Sequence, residues 1–271
     1  MKIKEIKAKS IIVKTNLPEG NFVINPYIGC QHGCKYCYAR FMKRFTGHKE
    51  TWGSFVDVKI NAPGLISADT KKYKNKFITI GSVTDAYQPI EKKYKITRQI
   101  LGKLVPLQPK LDILTKSDLV LRDIDLLKQF KHCIVAVSLA FLDEKNRKKL
   151  EPLACSVEKR INTLKKLHKA KIQTALFVSP IFPELTDWKK LINKTKSFVD
   201  EYWFENLNLY PSIRKNIYDF LKKNYPELVG RYKEIYSKNS DYWQKQEKEI
   251  KAFCKDKKIN YRIYFHHKKR D

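Results

Sequence analysis

The sequence predicts an α/β fold, a partial (β/α)6 barrel followed by a mostly helical carboxyl-terminal extension. Three observations carry that prediction. Over the first two thirds of the 271 residues, short apolar runs rich in β-formers alternate with amphipathic stretches, as βα units around a buried parallel sheet require. About six such units occur with no glycine-rich dinucleotide fingerprint, which favours a barrel over a doubly wound sheet. After Pro211 the alternation stops and helical periodicity takes over. With 42% hydrophobic and 12% aromatic residues, the chain can bury a real core, which excludes wholesale disorder.

In order, residues 22–28 read as the first strand, followed by a loop rich in cysteine and a helix over 38–45. Residues 55–60 form a short extra strand. Strands over 77–82, 111–117, 133–140, 171–180 and 202–210 then alternate with helices over 90–104, 123–130, 157–169 and 187–199. Chemistry in barrels sits at the carboxyl ends of the strands. The loops after Ile28, Ile80, Leu114, Val137, Val178 and Leu209 are therefore expected to share one mouth. Beyond Pro211, 213–224, 227–236 and 240–256 read as helices and 261–265 as a closing strand. The expected division is a core over 1–211 and a basic, aromatic-rich extension over 212–271 packed on it.

Fifty-six Lys and Arg against 28 Asp and Glu give a formal charge of +28. That balance points to a polyanion such as DNA or RNA, or to a lysine-rich solvated surface. The tyrosines and tryptophans set between lysines after Pro211 suit base stacking or, more simply, the packing face of covering helices. No apolar run approaches the roughly 18–20 residues of a membrane span, and lysines interrupt the first 14 residues every few positions. The expectation is a cytoplasmic protein with no membrane partner, whose cysteines stay thiols or bind metal.

The strongest motif is Cys30-Gln31-His32-Gly33-Cys34-Lys35-Tyr36-Cys37, a Cx3Cx2C triplet directly after a strand. Three thiolates on one tight loop suit three irons of a [4Fe–4S] cluster. Electron-transfer clusters use four cysteines, so the fourth iron is left for an outside chelator such as the amino and carboxylate groups of S-adenosylmethionine. The alternative is a tetrahedral zinc site completed by His32 or His48, in a metal-stabilised nucleic-acid-binding module. Cys133, Cys155 and Cys254 lack companion spacing and read as incidental or buried thiols. His266-His267 with Lys268-Lys269-Arg270 reads as a solvated or phosphate-touching basic end. Asp143-Glu144 carries no acid/base signature.

The run Asn25-Pro26-Tyr27-Ile28-Gly29-Cys30 through Cys37-Tyr38-Ala39-Arg40 resembles the radical S-adenosylmethionine (radical SAM) superfamily, and within it the spore photoproduct lyase-like branch. Further blocks agree: Gly81-Ser82-Val83-Thr84-Asp85-Ala86-Tyr87-Gln88-Pro89, Leu114-Thr115-Lys116-Ser117 with Leu121-Arg122-Asp123, Val137-Ser138, Leu150-Glu151-Pro152, and Pro180-Ile181-Phe182-Pro183 with Leu185-Thr186-Asp187. The resemblance spans roughly residues 20–190 and implies a partial TIM-like radical SAM barrel. It implies cluster ligation by Cys30, Cys34 and Cys37, with Tyr36 beside the adenine. Ser82 and Thr84 would meet the methionine end of the cofactor, Lys116 its carboxylate, and Ser138 would reach it from the next strand end. Tyr38 matches a tyrosine that is a candidate radical relay. An external one-electron donor, flavodoxin- or ferredoxin-like, is implied as partner. The expected activity is reductive cleavage of S-adenosylmethionine to a 5′-deoxyadenosyl radical for hydrogen abstraction, with nucleic acid as first choice of substrate and a peptide or small metabolite as alternative. One position departs from the branch: photoproduct lyases place a cysteine hydrogen donor where this chain has Ser82, whose strong O–H bond is a poor substitute.

Overall fold

Residues 1–18 and 20–266 are described by a computed structural model. In chain order its strands are β1 (Lys2–Ile6), β2 (Ile12–Lys14), β3 (Phe22–Ile24), β4 (Tyr27–Ile28), β5 (Phe55–Lys59), β6 (Phe77–Ile80), β7 (Lys110–Thr115), β8 (Cys133–Ser138), β9 (Gln173–Ile181), β10 (Glu201–Asn206) and β11 (Tyr261–Ile263). The α-helices are α1 (Thr70–Tyr73), α2 (Glu91–Tyr94), α3 (Ile96–Leu104), α4 (Ile124–Leu127), α5 (Glu144–Leu150), α6 (Val157–Lys169), α7 (Trp188–Thr195), α8 (Pro211–Asn224), α9 (Leu228–Ile235) and α10 (Tyr242–Asp256).

The main sheet runs β2-β3-β6-β7-β8-β9-β10-β11. From β3 to β11 every neighbouring pair is parallel, and β2 is an antiparallel edge on β3. Strands β3, β6, β7, β8, β9 and β10 are the six barrel strands that the alternation predicts. Their period-two geometry divides the side chains between two faces. In β7, Leu111, Ile113 and Thr115 are buried, whereas Asp112 and Leu114 line the lumen. Ser138 in β8, Phe177 and Ser179 in β9, and Trp203 and Glu205 in β10 also face the lumen. Outside the sheet, α6 begins with the Ser156 hydroxyl accepting from Lys159 N at 3.2 Å. It buries Val157, Ile161, Leu164 and Leu167, one apolar stripe at helical spacing.

Several expected elements change on folding. The strand over 22–28 splits at Asn25-Pro26, because proline has no N–H to continue the ladder. Its second half, β4, turns away and pairs antiparallel with β5, which pairs parallel with β1. The extra strand thus belongs to a small second sheet beside the cysteine loop. The helix over 38–45 is a 3₁₀ helix, and that over 90–104 breaks at Lys95, in the left-handed region at φ 53°, into α2 and α3. Residues 261–265 add a parallel edge beside β10 rather than closing the barrel. Helix α5 begins at Asp143-Glu144, which read as a loop or a helix start. It is started by Asp143, whose carboxylate accepts from Asn146 N at 2.7 Å.

Helix α8 buries Ile213, Ile217, Phe220 and Leu221, in one cluster with Cys34, Tyr36, Phe141 and Phe182. Trp243, Ile250 and Cys254 of α10 join the main core. The aromatics after Pro211 that stand buried, such as Tyr232 and Trp243, are packing residues. Among the described residues no helix is long and apolar enough to cross a membrane.

Candidate active site

One cleft of about 1040 Å³ opens where the carboxyl ends of the barrel strands converge. Cys30, Cys34 and Cys37 line it at one side; Gly81 to Asp85, Leu114 to Lys116, Ser138 and Ser179 follow around its wall. Loops from different strands therefore meet at a common mouth, as a barrel requires.

The cysteine loop is held by its neighbours along its whole length. Gly29 O accepts from the Thr84 hydroxyl at 2.6 Å, and Gln31 N donates to Gln88 Oε1 at 2.7 Å. On the other side Lys35 N donates to Leu150 O at 2.8 Å, and Leu153 N to His32 O at 3.3 Å. Asn216 of α8 donates to Lys35 O at 3.2 Å. Gly33, at φ +61°, and Gly53, at φ +98°, meet back to back: a Cβ on Gly53 would lie 2.7 Å from Gly33 Cα. Only glycine permits that approach.

Asp85 joins three elements. It accepts from the Thr115 hydroxyl at 2.8 Å, Lys116 N at 2.7 Å and Tyr87 N at 2.8 Å, and sits 3.3 Å from His32 Nδ1. Burial works against its charge, but His32 and these donors hold its pKa down at about 2. Behind Cys34 a buried network links Glu151 to the Tyr36 hydroxyl and to Arg160, which also donates to Ser138 O at 3.0 Å. Burial disfavours the Glu151 carboxylate, yet Arg160 and Lys116 keep its pKa low.

The residues anticipated as cofactor contacts fall in distinct places. Ser82, Thr84, Lys116 and Ser138 line the cleft with the three cysteines. Ser82 Oγ accepts from Asn25 Nδ2 at 3.0 Å, and the Thr84 hydroxyl is committed to Gly29 O. Lys116 Nζ lies 5.8 Å from the centre of the Tyr36 ring. Burial opposes its charge, but Cys34 and Glu151 outweigh burial and raise its pKa. Tyr36 stands behind the loop, 8% exposed, edge-on to Phe182 at 5.6 Å. Tyr38 lines the cleft and donates to the Ser82 carbonyl. Arg122 does more than begin a helix, since it pairs with buried Glu91 and Asp123.

Both candidate zinc-completing histidines face carboxylates. His32 is turned to Asp85. His48 is stacked 4.0 Å from Phe55 between Asp57 and Glu50. Among the described residues, no three His, Cys, Asp or Glu side chains are grouped as for a single ion. Cys133 is buried at the start of β8, the end away from the mouth, and Cys254 in the core. Cys155 donates to Asp118 at 3.1 Å. His266 is no free basic end: its ring lies 3.2 Å from Glu205 in the cleft, while His267 to Arg270 lie outside the described residues.

The Radical SAM superfamily model matches residues 24–194, most of the barrel. The chain belongs to the radical SAM superfamily. It is 47% identical over 227 residues to an uncharacterized protein of Methanocaldococcus jannaschii, covering 84% of this chain and 85% of that one. Its fold matches that of spore photoproduct lyase complexed with dinucleoside spore photoproduct, with a TM-score of 0.72 at 14% identity over 97% of this chain and 82% of that one. A mutant of the lyase with bound AdoMet and the same dinucleoside matches at 0.69 and 13% identity, covering 97% of this chain and 81% of that one.

Radical SAM enzymes use a [4Fe–4S] cluster and S-adenosylmethionine, and this chain's residues fit that pair. Three thiols open on a cleft large enough for the cofactor. Burial raises the pKa of each, that of Cys34 to about 12 even with Lys116 drawing it down. Buried thiolates need positive charge beside them, and ligation to iron supplies it.

Proposed function

We propose that this radical SAM enzyme acts on nucleic acid, taking a base into the cleft while the phosphates stay on the basic exterior. One observation carries the reading: a chain of net charge +28 has a cleft lined by Asp85, Asp112, Glu205 and Glu247 against Lys116 and Arg262. An acidic interior repels phosphate and suits a neutral ring rich in N–H donors. Phe177, Trp203 and Tyr264, packed edge-on at 6.0–6.3 Å, also line the cleft. The dinucleoside named in the lyase complex supports the same substrate class.

In this reading Cys30, Cys34 and Cys37 hold the cluster, and Lys116 meets the cofactor's carboxylate as a compact ammonium. Ser82 and Ser138 approach the cofactor from the ends of β6 and β8, on either side of β7, Thr84 fixes Gly29 ahead of Cys30, and Tyr36 braces the loop through Glu151. When bound, the pair supplies one-electron cleavage of the sulfonium and hydrogen abstraction, the electron coming from a flavodoxin- or ferredoxin-like donor in a reducing cytoplasm. Tyr38 serves as hydrogen donor or relay. Its hydroxyl bonds the carbonyl of Ser82, the position at which photoproduct lyases carry cysteine. A phenolic O–H is weaker than the serine O–H because the phenoxyl radical is delocalised. Burial in the cleft and then the nearby Glu205 charge raise the Tyr38 pKa, so the proton stays on oxygen at neutral pH.

The test is retention of DNA and structured RNA by the reconstituted protein at about 0.15 M salt, with 5′-deoxyadenosine yield measured with and without the nucleic acid. Retention that weakens steeply with salt, together with a stimulated yield, is expected. No retention and no stimulation would turn the search to peptides and small metabolites. Once a substrate is found, Tyr38→Phe should still cleave S-adenosylmethionine but lose product about tenfold or more; unchanged product would remove Tyr38 from the reaction.

A further inference from the structure

Two buried side-chain donors without a partner of good hydrogen-bond geometry border the cysteine loop: the indole Nε1–H of Trp52 and the guanidinium Nε–H of Arg40. Trp52 is 7% exposed and packs with Cys30, Ala39 and Phe55 against Cys37. Arg40 lies one turn beyond Cys37, and its Nη2 is 3.4 Å from Cys34 O. Both donors therefore lie beside the cysteine loop, the indole packed on Cys30 and Cys37 and the guanidinium next to Cys34.

The surrounding backbone holds this arrangement. Gly53, the residue after Trp52, approaches Gly33 so closely that a Cβ on Gly53 would need displacement. Gly29 does the same against Phe55, where a Cβ would meet the carbonyl at 2.5 Å. Phe55 stands edge-on to Trp52 at 5.9 Å and is backed by His48. The small sheet β1-β5-β4 therefore sets the indole against the cysteine loop from one side. Buried N–H groups in native proteins are paired, and the cysteines packed against the indole offer sulfur as an acceptor.

We propose that Trp52 and Arg40 are hydrogen-bond donors to the sulfurs of the iron–sulfur centre on Cys30, Cys34 and Cys37, and that they set its reduction potential. One added electron makes the centre more negative. An N–H···S bond and a neighbouring guanidinium stabilise that reduced state more than the oxidised one, which raises the potential. Both are positioning and tuning residues and touch no substrate. The inference rests on the cluster assignment and goes beyond it.

The experiment is a dithionite titration of the full-length reconstituted protein followed by electron paramagnetic resonance, without S-adenosylmethionine. Trp52→Phe keeps an aromatic ring and removes the N–H. It should retain four irons per chain, yet at the wild-type midpoint its reduced-to-oxidised ratio should fall about tenfold. Full iron content with an unchanged midpoint would overturn the proposal. Should Trp52→Phe lose iron, the interaction is read directly with Trp52 in place. Indole-¹⁵N tryptophan is incorporated in a Trp203→Phe background, which removes the indole lining the cleft. Pulsed resonance of the reduced cluster should then detect a coupled nitrogen, and its absence would overturn the proposal. A wild-type chain that binds no iron would instead bring down the cluster assignment itself, an outcome distinct from a cluster of unaltered potential.

Discussion

At the scale of single residues, the site is arranged around two ionic groups near the cysteines, half-buried Lys116 and buried Asp85. Lys116 extends from the end of β7 toward Cys34 and Glu151 and stands within the cleft. Replacing it with methionine keeps the length of the side chain and removes the charge. S-adenosylmethionine affinity, measured by calorimetry on the reconstituted protein, should fall by about 10–100-fold, while iron content stays at the wild-type level. Asp85 is the opposite pole. Its folded pKa of about 2 lies below the unfolded value of about 3.9. The stability it contributes is therefore complete above the unfolded value and is lost as pH falls through the folded one. In denaturant titrations of the iron-free protein, the gap between wild type and Asp85→Asn should be widest at neutral pH and should close toward pH 2. A gap that stays constant with pH would show that Asp85 acts by shape alone. Sequence reading placed Asp85 and Glu151 inside motif blocks but assigned neither a task. A carboxylate's role here depends on partners 30 or more residues away, such as Thr115 for Asp85 and Tyr36 for Glu151. No local pattern encodes such pairings.

At the scale of elements, the cysteine loop is a shared product of four neighbours: the small sheet, the segment from Thr84 to Gln88, the segment around Leu150 to Ala154, and helix α8. The back-to-back glycines are where the small sheet acts. Gly53→Ala would place a Cβ 2.7 Å from Gly33 Cα at φ +98°, a strain of about 1–3 kcal/mol. Reconstituted iron per chain should fall while the far-ultraviolet circular dichroism stays native; full iron retention would mean that the loop tolerates displacement. The elements legible in the sequence were those with clean periodicity. Residues 157–169 were read to the residue, because the Ser156 cap and the stripe through Leu167 are both local signals. Those that misled were the ones where a single residue redirects the chain. Pro26 sends half a strand to another sheet, and Lys95 breaks a helix by taking a left-handed conformation that nothing local demands. The 3₁₀ geometry after Cys37 was hidden for a related reason, since the spacing of its apolar residues also fits an α-helix.

At the scale of the whole molecule, sequence and structure agree on six parallel strands whose carboxyl ends share a mouth containing all three cysteines. The contrast between a basic chain and an acid-lined cleft was not legible, because net charge carries no position. Only the folded inward face brings Asp112 of β7, Glu205 of β10 and Glu247 of α10 to one cavity. That contrast gives the substrate proposal its physical content, whereas the reaction class rests on the cysteine loop. The most direct test of the central claim is 5′-deoxyadenosine formation, followed by mass spectrometry, in anaerobically reconstituted protein supplied with S-adenosylmethionine and dithionite, with Cys34→Ala alongside. The account predicts product from the brown wild-type protein and none from the variant. A colourless wild type that takes up zinc and forms no product would contradict it.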